Sequence, residues 1–289
     1  MNDYVIITDV TCDLPINVIE KYNIIIMPMN YSVDDKNYTN YADFREQSLD
    51  EFYSKMRNGS CTRTVQLNSD SYLNTYRKYL KQGFDVYGIV FSSGLSGSYN
   101  SAFIAAEELS KEFPERKIVI TDSLAASSGE GLIVLEAYKN KDKGLSITDN
   151  YNCIEKFKYN VAHWFTVDSI EYLRRGGRVS NAAAFAAKVL NIKPVLHVDD
   201  NGHLIPVYKK VGRSISLKEL VRQYNATVDK SYDTVIITHA DSEKDALFVK
   251  DLILKNSNPK EIIISNIGTV IGSHSGPGTL ALFFKASHR

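Results

Sequence analysis

The sequence has few cysteines, no excess of one charge and no long hydrophobic run, and each lack closes off a class of function. Its three cysteines, Cys12, Cys61 and Cys153, stand far apart with no CxxC or CxxH spacing, so nothing suggests zinc and reduced thiols are expected. Lysine plus arginine equals aspartate plus glutamate at 34 each, which leaves no global field to draw in nucleic acid or an anionic membrane. Apolar residues never run together for the roughly 18 positions that a membrane-spanning helix requires, so no stable membrane insertion is expected. The start, "MNDYVIITD", carries an acid and no basic stretch, which predicts a cytoplasmic, unprocessed protein. A Gly-Lys-Ser/Thr phosphate loop, a G-x-S-x-G elbow and a metal-ligand cluster are also missing.

What is present is enough apolar material, 44% of 289 residues, to bury more than one core. Short β-branched runs recur at Val5–Ile7, Tyr87–Phe91, Ile118–Ile120, Val235–Ile237 and Ile262–Ile264. Nearly continuous apolar runs of this length predict strands covered on both faces. Amphipathic stretches such as Ser71–Gln82, Ser98–Phe113, Gly129–Asn140, Ser214–Ala226 and Ser242–Lys255 alternate with them. The alternation predicts two α/β domains with largely parallel sheets, residues 1–157 and 158–289, joined after the polar stretch "NKDKGLSIT".

Strand ends are where polar residues collect: Thr8 and Asp9, Ser92 to Ser96, Thr121 and Asp122, and His239. In open α/β sheets, ligands bind at the carboxyl ends of strands. "SSGLSGS", Ser92 to Ser98, precedes a helix whose free amides would face it, and Gly94 and Gly97 let backbone approach a small anion. The same stretch also reads as a plain strand-to-helix turn with Ser98 as its cap. No lysine or arginine occurs between Gln82 and Lys111, so any anion here would be met by neutral donors. His274 is expected in a glycine-rich loop ahead of a short apolar helix starting near Pro277 or Gly278, as a structural histidine or an anion donor. Arg174, Arg175 and Arg178 surround two glycines, either as a phosphate fork or as an ion-paired corner, and Ala182–Ala187 follows as a helix of small residues. Thr62, Thr64, Gln66 and Asn68 lead into a helix with Ser69 or Asp70 as its expected cap.

Together "TDVTCDLP", "TVQLN", "SSGLSGSYNSA", "TDSLAASSGEG", "YLRRGGRVS", "KPVL" and "HSGPGT", in this order over nearly the whole chain, resemble the DegV family of bacterial fatty acid-binding proteins. The resemblance implies two α/β domains with a long-chain fatty acid buried between them. It further implies a noncatalytic, lipid-carrying subunit that presents the acid to a separate fatty acid kinase subunit, with the lipid as ligand and no cofactor. Matched position by position, Thr64 and Ser96 fall on the family's carboxylate-binding threonine and serine, and His274 on a histidine near the head group. Ser93, Gly94, Gly97 and Asp122 would support the loop. The chain departs from the family pattern at Val10, where serine is usual, and at Val65 and Leu67, which replace serine and proline.

A different class of function uses the same residue types: a serine-dependent hydrolase or phosphotransferase, with Ser96 as nucleophile, His274 as base, and Asp122 or Asp9 as orienting acid. Its weak point is the spacing of "GLSGS", which is not that of a nucleophile elbow.

Overall fold

The computed structural model describes residues 3–179 and 191–288. The expected Ala182–Ala187 helix lies outside the described residues. Four strands, β1 (Tyr4–Asp9), β2 (Ile25–Met27), β6 (Asp85–Val90) and β7 (Ile118–Asp122), form a sheet in the order β2-β1-β6-β7 with every pairing parallel. All six residues of β6 are buried, as expected of a strand covered on both faces. A small antiparallel sheet, β4-β3-β5, joins Lys36–Asn40, Met29–Val33 and Thr62–Val65, and its pairing sets Thr64 opposite Tyr31.

The second large sheet takes the order β10-β9-β8-β13-β11-β12, built from Val161–Thr166 (β8), Ile192–Val198 (β9), Leu204–Val211 (β10), Thr234–His239 (β11), Glu261–Asn266 (β12) and Leu280–Lys285 (β13). The α/β class stands, but this sheet is not largely parallel: only β11 pairs with β12 in parallel, and its other pairings are antiparallel. The cause is local. β9 and β10 form a hairpin, and the last strand, β13, returns between β8 and β11.

That last strand also corrects the expectation for the C-terminus. The apolar run after Gly278 is strand β13, not a helix, and His274 lies in the last turn of a helix, Thr269–Ser275, that precedes it. A short run such as "LALFF" has no period that separates a buried strand from a buried helix, and here the open position in the sheet decides. Two caps also differ. Asn68, not Ser69 or Asp70, accepts the Ser71 amide at 2.9 Å, and the serine-loop helix, Ser98–Glu112, begins after Gly97, with Ser96 rather than Ser98 accepting its first free amide.

Between the two large sheets runs a central helix, Ser128–Asp142. Most of its residues are buried, and its apolar side chains share one core with β1, β6, β8 and β13. From Ser128 to Leu135 every residue is buried, so this half of the helix has no solvent face and no amphipathic stripe. It fixes the separation of the sheets, and with it the space between their ends.

Candidate functional site

A cavity opens where the loops after β1 and β6 and the start of the central helix meet the inner face of the second sheet. Most of its wall is apolar, with Phe91 and Leu95 on one side, Phe165, Val198 and Phe283 on the other, and Val270 from the His274 helix. In both β8 and β13 the lining residues alternate, as a pleated strand requires: His163 with Phe165, Ala281 with Phe283.

One region of this wall is polar, and four parts of the chain converge there. Thr64 comes from β5, Ser96 from the loop after β6, Arg178 from the turn after the short Glu171–Arg175 helix, and His274 from its own helix. Thr64 Oγ1 and His274 Nε2 are 2.9 Å apart. Ser96 Oγ lies 3.0 Å from Ser98 Oγ and accepts the Ser98 amide at 3.2 Å, which holds its hydroxyl at the helix start. Gln66 links the two loops by accepting the Gly97 amide at 3.0 Å.

The supporting residues fall behind this wall rather than in it. Asp122 Oδ1 accepts the amides of Ser93 and Leu124, each at 3.1 Å, and so closes the serine loop from below. Gly94 packs against the backbone of Asn201 and Gly202 at the tip of the β9–β10 hairpin. Ser93, Gly94, Gly97 and Asp122 do not line the cavity, and neither do Val10, Val65 or Leu67. Val10 and Leu67 share a buried core with Ile7, and Val65 points outward, 60% exposed.

The arginine turn divides into different environments. Arg174 forms a bidentate pair with Glu171 at 2.8 and 2.6 Å on the surface, and Arg175 lies over the Tyr172 ring. Arg178, itself exposed, reaches the cavity wall: its Nε donates to the Leu95 carbonyl at 3.2 Å, and its Nη1 donates to the Gly176 carbonyl. Gly176 has a separate task, because a Cβ there would stand 2.4 Å from His274 Nδ1. Sequence reasoning singled out this turn without a role; its signal was the glycine pair itself, which marks a close approach of backbone to a neighbour.

Burial and the nearby Arg178 guanidinium push the His274 pKa down to about 4, so the ring is neutral near pH 7. Its Nδ1 is sealed from solvent and has no partner. An unprotonated nitrogen tolerates that position better than an N–H, which favours the tautomer with the proton on Nε2, facing Thr64. The C2 proton of His274 is expected to hold its NMR shift from pH 8 down to pH 6 and to titrate near pH 4; a midpoint above 6 would contradict the buried, arginine-adjacent setting.

A Ser–His–Asp relay is not formed. His274 is bonded to Thr64, Ser96 to Ser98, Asp122 to loop amides and Asp9 to Thr11, and no carboxylate reaches His274 Nδ1. The described residues hold no metal-ligand cluster and no helix long and apolar enough to cross a membrane.

Fold and site thus define an α/β protein with an apolar cavity between two sheets, ending at neutral donors and, among the described residues, one cation. The profile of the family described as "Uncharacterised protein, DegV family" matches residues 3–287, and the chain belongs to that family. A DegV domain-containing protein of Clostridium perfringens strain 13 is 40% identical over 285 residues, with 98% of each chain covered. A solved structure of a DegV family protein from Thermus thermophilus, described by its fatty acid binding, has a TM-score of 0.88 at 26% identity, covering 99% of this chain and 100% of that one. A DegV lipid-binding protein from Thermotoga maritima has a TM-score of 0.85 at 28% identity, with 99% of both chains covered.

Proposed function

We propose that this protein binds a long-chain fatty acid in the cavity, with its carboxylate held by Thr64 and Ser96 and its tail between the two sheets. The observation that carries this reading is the shape of the cavity's chemistry: apolar walls that end where two hydroxyls, a neutral histidine and one arginine converge. His274 Nε2–H donates to Thr64, whose hydroxyl is then free to donate to the carboxylate. Charge-assisted bonds of this kind are worth about 1.5 to 3 kcal/mol each. The tail supplies most of the affinity, at about 0.8 kcal/mol per buried methylene. The reading also divides the chain after residue 157 into two α/β units, with the ligand at their seam.

Held by the hydroxyls of Thr64 and Ser96, which are neutral donors, the carboxylate keeps a nucleophilic oxygen. The protein accordingly serves as the noncatalytic subunit of a fatty acid kinase system, presenting the acid to a separate kinase subunit that brings nucleotide and metal. Arg178, the cation in the polar wall, then faces the charge that grows when an acyl phosphate forms. The similarity to proteins described by lipid binding and by fatty acid binding supports the first part of this reading, and the kinase partnership rests on the family resemblance.

Denaturing the purified protein and analysing its organic extract by mass spectrometry should release long-chain fatty acid in near-stoichiometric amount. Protein that carries no lipid and takes up neither palmitate nor oleate would overturn the proposal. Phosphorylation of the bound acid by the host's kinase subunit, reconstituted with ATP and magnesium, tests the partnership separately.

A further inference from the structure

Asp13 stands at the seam between the two large sheets, and the head-group chemistry makes no use of it. It ends the short 3-10 turn that follows β1, with a left-handed backbone, φ 47°. Its Oδ1 accepts the amide of Gly268 at 2.9 Å, the residue that immediately precedes the His274 helix. Its Oδ2 accepts the hydroxyl of Ser127 at 2.5 Å, just ahead of the central helix. Its carbonyl accepts two more hydroxyls, Ser128 at 3.1 Å and Ser265 at 2.5 Å. One residue of the first half therefore ties together the end of β12, the start of the His274 helix and the start of the central helix. Ser127 itself lines the cavity, as do Val270, Ile271, His274 and Ser275 of the tethered helix.

We propose that Asp13 is a positioning residue for the carboxyl-binding end of the cavity, clasping the start of the His274 helix to the turn after β1, so that release of this clasp governs opening. The inference rests on the fatty acid reading for the carboxyl-binding role of that end of the cavity and for its ligand-release arm.

The clasp carries its own signature, because opening would admit water to a fully buried carboxyl. Burial raises the Asp13 pKa from 3.8 to about 7 in the closed form, while the bonds from Ser127 and Gly268 oppose the rise. A hydrated carboxyl returns to about 3.9. Between these values the closed form holds a proton that the open form has lost. The closed form's advantage is therefore complete at low pH and is lost as pH rises through about 7. Linkage makes the opening constant about tenfold larger at pH 8 than at pH 6.

Asp43 lines the same cleft as Asp13, and His239 of β11, paired with Asn266 of β12, has its pKa lowered by burial. Asp9 at the end of β1 and Glu130 in the central helix are fully buried and raised in the same direction. The Cys12 thiol and the Tyr53 hydroxyl are pushed well above their ordinary values and stay neutral across the window. From β12 and the start of the His274 helix the facing residues, Ser265 to Gly268, do not titrate.

Hydrogen exchange on lipid-stripped protein tests the clasp without any ligand. Protection factors for amides of the His274 helix should fall about tenfold from pH 6 to pH 8. Asp13→Asn should abolish that step, and Ser127→Ala, which removes a bond opposing the rise, should move its midpoint to higher pH. Release of bound palmitate should accelerate by the same factor. A flat profile in the unaltered protein, or the same step in Asp13→Asn, overturns the proposal. If Asp13→Asn does not fold, an unmoved midpoint in Ser127→Ala overturns it. Failure to bind palmitate at any pH sinks the fatty acid reading instead and leaves the exchange result to stand.

Discussion

Replacing both Thr64 and Ser96 with alanine is expected to weaken fatty acid binding by about a hundredfold or more while the circular dichroism spectrum stays unchanged. Each hydroxyl offers one charge-assisted bond to the carboxylate, worth about 1.5 to 3 kcal/mol, and a factor of ten is about 1.4 kcal/mol. Neither residue is fully buried, and neither belongs to a core, so the fold has little to lose. Removing Thr64 also strips His274 of a hydrogen-bond partner, so the Thr64 single variant should cost more than the Ser96 one. Titration with a fluorescent fatty acid measures both. Unchanged affinity in the double variant would place the carboxylate elsewhere in the cavity.

Gly129→Ala is expected to be strongly damaging, with a loss of about 3 kcal/mol in chemical denaturation. Gly129 sits in the first turn of the central helix, and a Cβ there would lie 2.0 Å from His163 Nε2. His163 has little freedom to retreat: it is 1% exposed, its Nδ1 is 2.9 Å from the Val161 carbonyl, and its ring stands edge-on to Phe283. The added methyl would push apart the helix and β8, the two elements whose contact sets the cavity's width. Gly97→Ala is the contrasting case, because the atoms nearest its Cβ belong to the end of the flexible Gln66 side chain. It should leave stability nearly unchanged and loosen the bond between Gln66 and the serine loop. Equal losses in the two variants would show that the helix–sheet contact at Gly129 is not critical.

How much of this was legible beforehand follows from what each pattern encodes. The runs around Val5, Val86, Val119, Val235 and Ile262 gave strands at their places, because an apolar run of strand length between turn residues has few other solutions. The run "LALFF" failed as a helix because its place in the sheet comes from β8 and β11, strands 40 or more residues away in sequence. The antiparallel character of the second sheet was hidden for the same reason: strand direction is a property of pairs. At the site, "SSGLSGS" and "TVQLN" pointed to donors without saying which of them meet. Gly176 and Arg178 were visible as an unusual turn, yet their tasks, room for the His274 ring and a cation in the cavity wall, depend on a residue nearly a hundred positions later.

Composition and local order settled a good deal on their own: a neutral α/β chain without nucleotide loop or zinc motif, its polar residues gathered at the ends of buried strands, and motifs of one family along its whole length. These are consequences of nearest-neighbour chemistry, of side-chain period and backbone permission, and they need no folded partner. Tertiary structure alone decided that Thr64, Ser96, Arg178 and His274 share one wall, that His274 stays neutral, and that Asp13 is buried where the halves join. Those properties come from desolvation and from contacts between distant segments, which exist only once the two sheets have closed on the central helix.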